Sequence, residues 1–188
     1  MGEKKYEGLP ELIEGLQNTC SNLTAGIEEF SQGTKASRDE MKSRSFLMRS
    51  FAQKDFESNT GMGFDEWVEF SERLLSRFEN ISAAVQRLVE VKLDPIRIPS
   101  ALNELRDVAS PFLERYDLMV EALDRFANYM LDMPKRAESI PKPFRALMSE
   151  EDRKRMVEEA PKVGEGIKRL IDGLKTAKEQ ITDLYRFL

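Results

Sequence analysis

Basic and aromatic side chains that lie together in two short segments are the residues of this chain best suited to chemistry. Residues 41–54 carry four cationic side chains and no acid, and residues 134–148 carry four cations and one acid. Phenylalanines lie among the charges in both segments. Like charges mixed with apolar side chains are typical of surfaces that bind an anionic partner or a membrane. The candidate binding residues are Lys42, Arg44, Phe46, Arg49, Phe51, Lys135, Arg136, Lys142, Phe144 and Arg145.

Both segments also allow a purely structural interpretation. Residues 41–54 could form a helix whose apolar side covers the rest of the protein, and Phe144 and Leu147 could fold under the end of a bundle. The rest of the chain is acidic, since the net charge of the whole is −5 despite the two basic segments. An acidic body disfavours nucleic acid, because nucleic-acid binding depends on neutralising phosphates. We therefore expect a protein partner or an anionic membrane surface, and no nucleic acid.

Catalytic and metal-binding signatures are sparse in this sequence. The chain has no histidine, so the usual general base near neutral pH is missing. Cys20 is the only cysteine, which leaves too few ligands for a structural zinc site. No glycine-rich phosphate loop follows a strand, because no convincing strand is present. We predict that the protein is not an enzyme and that it holds no cofactor and no metal.

One stretch, residues 55–66, resembles the calcium loop of an EF-hand. Four oxygen-bearing side chains stand at ligand positions one, three, five and twelve of such a loop, namely Asp55, Glu57, Asn59 and Glu66. Thr60 occupies the sixth position, where the sharp turn of the loop requires glycine, and no second loop is present to pair with it. Calcium binding is therefore an alternative that the sequence disfavours, as is an enzyme.

The elements that must position the two basic segments are long helices. Four stretches, 9–30, 64–88, 102–133 and 163–188, repeat apolar residues at alternating steps of three and four. That spacing places a narrow apolar seam along one face of a helix and is typical of coiled-coil packing. The chain is predicted to be all-α, an elongated antiparallel helical bundle with coiled-coil (heptad) packing and four main long helices with proline kinks. A single domain is predicted to span residues 1–188.

Glycine and proline set the predicted bounds of the first two helices. Pro10 suits the first turn of the first helix, where its missing N–H group costs nothing. Gly33 interrupts the regular pattern of that helix, and the stretch from Thr34 to Phe56 is expected either to continue the helix or to form a shorter one. The second helix is predicted over 64–93, between a glycine-rich break and Pro95.

The third helix is predicted over 100–133, with Ser100 as its N-cap. Pro111 lies inside it without breaking the heptad register, so a kink is expected near Asp107. Apolar residues flank the seam of this helix, and a wider apolar stripe indicates contact with more than one neighbour. We therefore expect the third helix to lie at the centre of the bundle.

The last part of the chain is predicted to be a loop followed by a helix. Three prolines within 134–148 indicate the loop. Ser149 is a good N-cap for a final helix with acids in its first turn, where the helix dipole favours them. Pro161 is expected to kink that helix before it continues to the C-terminus.

The seams of the first and fourth helices are narrow, which leaves room for a second copy of the chain to complete the core. The plan of long, proline-kinked heptad helices with basic loops resembles that of BAR domains, although no sequence motif carries the resemblance. It implies a crescent-shaped dimer that senses or shapes membranes. No stretch approaches the ~20 apolar residues of a transmembrane helix. A cytoplasmic location is expected, peripheral to a membrane if the basic segments meet lipid.

The sequence thus favours a non-enzymatic interaction or scaffold protein. We expect it to self-associate as a homodimer and to engage a protein partner through coiled-coil surfaces and the two basic segments. Binding to the surface of an anionic membrane is the alternative function.

Overall fold

The computed structural model describes residues 6–188, and every regular element in that range is helical. The prediction of an all-α fold is confirmed. The α-helices, in chain order, are α1 (Leu9–Ser43), α2 (Phe46–Thr60), α3 (Phe64–Val91), α4 (Ile98–Glu114), α5 (Tyr116–Leu131), α6 (Met133–Ser139), α7 (Lys142–Arg145), α8 (Glu150–Lys154) and α9 (Ala160–Leu184). A π-helical turn over Arg155–Glu159 joins α8 to α9, and a 3₁₀ turn over Tyr185–Phe187 follows α9.

The described residues fall into two compact units. The first unit contains the residues up to Glu29 together with Glu72–Asp117 and Asp172–Leu188. The second unit contains Phe30–Ser71 and Leu118–Ile171. Each unit therefore combines helical segments that are distant in sequence, and both basic segments lie in the second unit.

The core of the first unit consists of seam residues from α1, α3, α4 and α9. Side chains three and four positions apart are buried there, because these positions share one face of a helix. The phenyl rings of Phe78 and Phe112 meet edge to face, with 5.1 Å between their centroids. The predicted burial is confirmed for Leu9, Ile13, Leu16, Cys20, Leu23, Ile27, Leu74, Phe78, Ile81, Val85, Leu88, Leu102, Leu105, Ala109, Phe112, Leu174, Ala177, Ile181 and Leu184.

Cys20 is fully enclosed in this core. Burial raises the pKa of its thiol to about 12, although a hydrogen bond with Ser82 acts in the opposite direction. Because the thiolate is the reactive form, Cys20 should stay unmodified when the folded protein is treated with a thiol reagent at neutral pH. It should react once the protein is unfolded in denaturant. Mass spectrometry of the treated protein measures this, and equal labelling of folded and unfolded protein would contradict it.

The core of the second unit is built around aromatic rings, with Phe126 of α5 at its centre. The centroid of the Phe126 ring lies 5.5 Å from that of Phe30 and 5.7 Å from that of Phe56. The ring of Trp67 approaches Phe126 edge-on at 4.7 Å. The indole Nε1–H of Trp67 donates a hydrogen bond to Thr60 Oγ1 at 3.1 Å, so the one polar group of this buried side chain is satisfied.

Helix α1 continues through Gly33 to Ser43. Of the two alternatives for the stretch after Gly33, continuation of the helix holds as far as Ser43, and the shorter helix α2 follows it. A Cβ atom built at Gly33 would have nothing within 4 Å, so glycine meets no steric need at this position. A single interior glycine costs a helix about 1 kcal/mol. Burial of the neighbouring Phe30 and Thr34 offsets that cost.

The third predicted helix is in fact two helices. Helix α4 ends at Glu114 and α5 begins at Tyr116, because Arg115 leaves the helical conformation with φ −106° and ψ 7°. Helix α4 continues past Pro111 and ends one turn after it, and the kink expected near Asp107 stays a prediction. Pro111 removes one intrahelical donor without ending the helix at that point.

A tight turn joins α3 to α4. Helix α4 begins at Ile98 with Pro99 in its first turn, so the predicted N-cap at Ser100 is wrong. Asp94 fixes the turn instead. Its backbone carbonyl accepts a hydrogen bond from the N–H of Ile98 at 3.1 Å, and its carboxylate accepts one from the N–H of Ile96 at 3.1 Å.

The segment predicted as a loop, 134–148, contains two short helices, α6 and α7. Its prolines misled the prediction. Pro134 and Pro143 both stand in the first turn of their helices, where a missing N–H group leaves no hydrogen bond unmade. These prolines therefore begin helices instead of interrupting them.

The start of the final helical stretch agrees with the prediction. Ser149 and Asp152 form a capping box, in which each side chain accepts a hydrogen bond from the backbone N–H of the other. A π-helical turn follows, and the N–H of Ala160 donates to the carbonyl of Arg155, five residues back. This turn comes immediately before Pro161, where the sequence predicts a kink.

One predicted seam residue near the start of α9 does not face the core of the second unit. The predicted seam residue Val163 is 45% exposed, and Gly164 is buried in its place. Glycine is required there because a Cβ atom would lie 2.7 Å from Leu131 Cγ. At the other end of the seam Leu188 is exposed and Phe187 is buried, because the chain ends in a 3₁₀ turn.

Candidate functional site

The structure brings the two basic segments together. The ring of Phe51, in α2, stacks on the ring of Phe144, in α7, with 4.3 Å between their centroids and 17° between their planes. Both residues are half-buried. The sequence names both as candidates but contains no signal that pairs them, since they are far apart along the chain.

Three large apolar side chains in the same two segments as this aromatic stack face solvent. Phe46 is 72% exposed, Leu47 is 63% exposed and Leu147 is 55% exposed. Leu47 and Phe51 lie one turn apart on the same face of α2, and Leu147 lies one turn beyond Phe144. Several large apolar side chains exposed together are uncommon on a protein surface unless something binds to them.

Two lysines border the apolar cluster. Lys54 shares the outer face of α2 with Leu47 and Phe51, because the three residues are spaced by four and three positions. Lys142 begins α7, two residues before Phe144. Both lysines are exposed, and neither takes part in an ion pair among residues 6–188. We call the following residues the basic–apolar surface: Phe46, Leu47, Phe51, Lys54, Lys142, Phe144 and Leu147.

Arg44 and Arg136, two of the four arginines of the basic segments, form hydrogen-bond networks within the second unit. Arg44 donates two hydrogen bonds to the carboxylate of Asp152, one of them at 2.9 Å, and a third to Glu40 at 2.6 Å. The hydrogen bonds to Asp152 and Glu40 raise the pKa of Arg44. Arg155 donates to the same Glu40 carboxylate at 2.6 Å, so this network joins the end of α1 to α8 and the π-helical turn. Arg44 therefore acts as an internal cross-link.

The Arg44–Asp152 pair predicts a loss of stability in acid. The hydrogen bonds from Arg44 lower the pKa of Asp152 from its ordinary value of 3.8 to about 2. Because the pKa is lower in the folded protein, the carboxylate contributes its full stabilisation above a pH of about 4 and loses it as the pH falls to about 2. Wild type and Asp152→Asn should therefore differ most in free energy of unfolding at neutral pH and converge in acid. Denaturant titrations over this range measure the difference, and a difference independent of pH would contradict the prediction.

Arg136 is a second internal cross-link. Its guanidinium donates to Asp55 at 3.2 Å and to the side-chain oxygen of Asn59 at 2.7 Å, and it lies 4.9 Å from the centroid of the Tyr129 ring. The hydroxyl of Tyr129 donates to the same Asp55 at 3.0 Å. Burial, with Asp55 adding to it, raises the pKa of Tyr129. These contacts join α2, α5 and α6.

The same contacts account for the residues of the EF-hand-like stretch. Residues 55–60 belong to α2 and not to a loop, and Gly61 ends that helix with a left-handed φ of 80°. The carboxylate of Glu66 accepts a hydrogen bond from the N–H of Gly63 at 2.7 Å. Asp55 is occupied by Arg136 and Tyr129. No group of three histidine, cysteine or acidic side chains among residues 6–188 is placed to hold a metal ion.

The remaining predicted site residues make weaker contacts. Arg145 donates to the backbone carbonyls of Glu138 and Ile140, the latter at 3.1 Å. Lys42 lies 3.7 Å from the carboxylate of Asp65. Exposed ion pairs of this kind contribute little to stability. Lys135 likewise lies 3.5 Å from Asp132, and Arg49 is half-buried on α2.

Three members of the basic–apolar surface, Leu47, Lys54 and Leu147, are not among the predicted site residues. Leu47 and Lys54 could have been identified, because their spacing from Phe51 places all three residues on one face of a helix. Leu147 needed the knowledge that α7 exists, because the sequence predicts a loop there.

Comparison of the chain with protein-family models, with curated proteins and with solved structures finds no match. No helix among residues 6–188 contains a stretch that is both long and apolar enough to cross a lipid bilayer.

Proposed function

We propose that this chain is a non-enzymatic helical interaction protein that binds its partner through the basic–apolar surface. One observation carries the proposal: Phe46, Leu47 and Leu147 are more than half exposed in the two segments that the stacked rings of Phe51 and Phe144 join. Leaving these side chains in water costs free energy that burial against a partner would recover. The stacking of Phe51 on Phe144 holds α2 against α7, so little conformational ordering is needed when a partner binds.

The chain itself supplies a matched comparison for this surface. Leu118, on α5 in the same unit, is 71% exposed. Its sequence neighbours include Glu114, Asp117 and Glu121, and no basic residue other than Arg115 lies within four positions of it. An isolated exposed leucine of this kind is normal on a protein surface. The proposal therefore distinguishes Leu47 from Leu118, although the two are similarly exposed.

Site-specific cross-linking tests the proposal. A photo-cross-linking amino acid replaces Leu47 in one variant and Leu118 in another, and each protein is irradiated in an extract of its native cells. We expect defined adducts, with protein or with lipid, from position 47 only. Adding Lys54→Glu and Lys142→Glu should remove them. The proposal fails if position 47 gives no adduct or if position 118 gives the same ones.

The coiled-coil packing and the self-association that the sequence predicts belong to this proposal as well. Burial of seam residues at steps of three and four supports the first. For the second, the seams of α1 and α9 are largely covered within one chain, so a second copy would have to use exposed positions. Light scattering of the purified chain tests self-association: the mass of a dimer is expected, and the mass of a monomer refutes it.

A further inference from the structure

We infer that the basic–apolar surface binds the anionic face of a lipid bilayer, an inference that rests on the proposed function and names its partner. Three of the four arginines in the basic segments, Arg44, Arg136 and Arg145, are bound to carboxylates or carbonyls of the second unit. The fourth, Arg49, stands one turn after Phe46 on α2. Lys54 and Lys142 border the exposed apolar cluster and take part in no ion pair among residues 6–188.

The presence of two unpaired lysines beside the exposed apolar cluster favours a lipid surface over a folded protein as the partner. Arginine, with its planar fork of donors, is enriched in protein–protein interfaces, and lysine is depleted there. Lysine is a compact point charge that needs no fixed geometry from its counter-charge. Lys54 and Lys142 are therefore suited to a diffuse layer of anionic headgroups, which offers charge without a fixed arrangement of acceptors.

The position of the apolar side chains agrees with binding at a bilayer interface. Phe46 and Leu47 occupy the first turn of α2, and Leu147 follows the single turn of α7. Short helical ends that expose aromatic and aliphatic side chains beside lysines are typical of segments that enter the headgroup region without crossing the bilayer.

The local charge agrees with the same partner. The stretches that carry the basic–apolar surface, residues 46–54 and 142–148, contain four basic residues and no acid. Each lysine near an anionic membrane contributes about fivefold to binding, and the inserted apolar side chains add to that. Two weak signals of this kind together give reversible binding that weakens as salt screens the charges.

Vesicle flotation of the full chain tests the inference. Vesicles of phosphatidylcholine with phosphatidylserine are compared with vesicles of phosphatidylcholine alone, at low and at physiological salt. We expect binding to the first kind only, and weaker binding at the higher salt. Lys54→Glu with Lys142→Glu should lower the partition coefficient by about 25-fold or more. Leu47→Ser should lower it by about tenfold.

Matched variants separate this surface from the general charge of the protein. Lys162→Glu with Lys175→Glu changes the net charge by the same amount at exposed positions outside the surface, and it should retain binding. Leu118→Ser removes an equally exposed leucine and should also retain it. Equal losses in the test and control variants would overturn the inference.

Insertion of the apolar cluster into the bilayer is measured separately from binding. A Leu47→Cys variant is labelled with a dye whose emission shifts to the blue in an apolar environment, and the buried Cys20 does not compete for the label. We expect the shift with phosphatidylserine vesicles and not with a label at Leu118→Cys. Binding without a shift at position 47 would overturn insertion of the apolar cluster.

The two proposals fail in different ways. If the wild type ignores phosphatidylserine vesicles at low salt while position 47 still cross-links to a protein, the lipid inference is wrong and the proposed function stands with an acidic protein as partner. If position 47 cross-links to nothing and no vesicle binds, both are wrong.

Discussion

Truncation of Phe126 to alanine should lower the free energy of unfolding of the second unit by ~3–5 kcal/mol. The ring is buried and lies edge-on to three other aromatic rings, those of Phe30, Phe56 and Trp67. Removing it takes away its buried area and opens a cavity between neighbours that are fixed on separate helices. A loss at the upper end of the range is expected, because stiff aromatic rings collapse poorly into such a space.

Leu118→Ala is the control for this prediction. It lies on the same helix and is largely exposed, so its cost should stay within about 0.5 kcal/mol. Denaturant titration followed by the fluorescence of Trp67 measures both variants. Because Trp67 contacts Phe126 directly, its signal reports on the affected unit. Similar losses in the two variants would show that the core of this unit lies elsewhere.

Gly164→Ala should also destabilise the second unit, by ~1–3 kcal/mol. A Cβ atom at this position would lie 2.7 Å from Leu131 Cγ and 2.8 Å from the carbonyl oxygen of Ala127. The leucine side chain could rotate away, but the carbonyl belongs to the backbone of α5 and cannot move without disturbing that helix. The loss should therefore appear despite the better intrinsic helix propensity of alanine.

Gly33→Ala provides a control of opposite sign. Gly33 is also a helical glycine of the second unit, and a Cβ atom there meets nothing within 4 Å. The same substitution should raise the free energy of unfolding by about 0.5–1 kcal/mol, because it removes only the entropic cost of glycine. Denaturant titration of both variants shows whether each substitution raises or lowers the free energy of unfolding. A gain at Gly164 would mean that α9 does not approach α5 as closely as the structure indicates.

Periodicity predicts the helices and their buried faces well, for a physical reason. A seam at steps of three and four is a property of one helix and needs no knowledge of its neighbours. Residues such as Ile13, Phe78 and Leu123 are therefore buried as predicted. The capping box at Ser149 is equally local, since it depends on two residues three apart.

The positions of prolines do not by themselves predict where helices begin and end. A proline in the interior of a helix tends to break it, whereas a proline in the first turn favours the start of one. Pro134 and Pro143 begin helices, whereas Pro111 lies inside one that continues past it. Which role applies depends on whether the following residues can pack, and packing is a property of the folded unit.

The candidate site could be predicted only in outline. The sequence identifies both basic segments, because clustered charge is visible in a linear chain. It cannot show that Arg44 is bound by Asp152, 108 residues away, or that Arg136 is bound by Asp55, 81 residues away. Only the folded unit separates Arg44 and Arg136, which hold the structure together, from Lys54 and Lys142, which remain available.

The π-helical turn over Arg155–Glu159 has a consequence for how related sequences would be compared with this one. Such a turn accommodates one residue more than an α-helix does, so everything after it is rotated by about 100° relative to an uninterrupted helix. A relative with a one-residue deletion there could keep the same contacts for α9 while its numbering shifts by one. The deletion would be silent in three dimensions and conspicuous in an alignment, and Gly164 would be the position by which to recognise the true register.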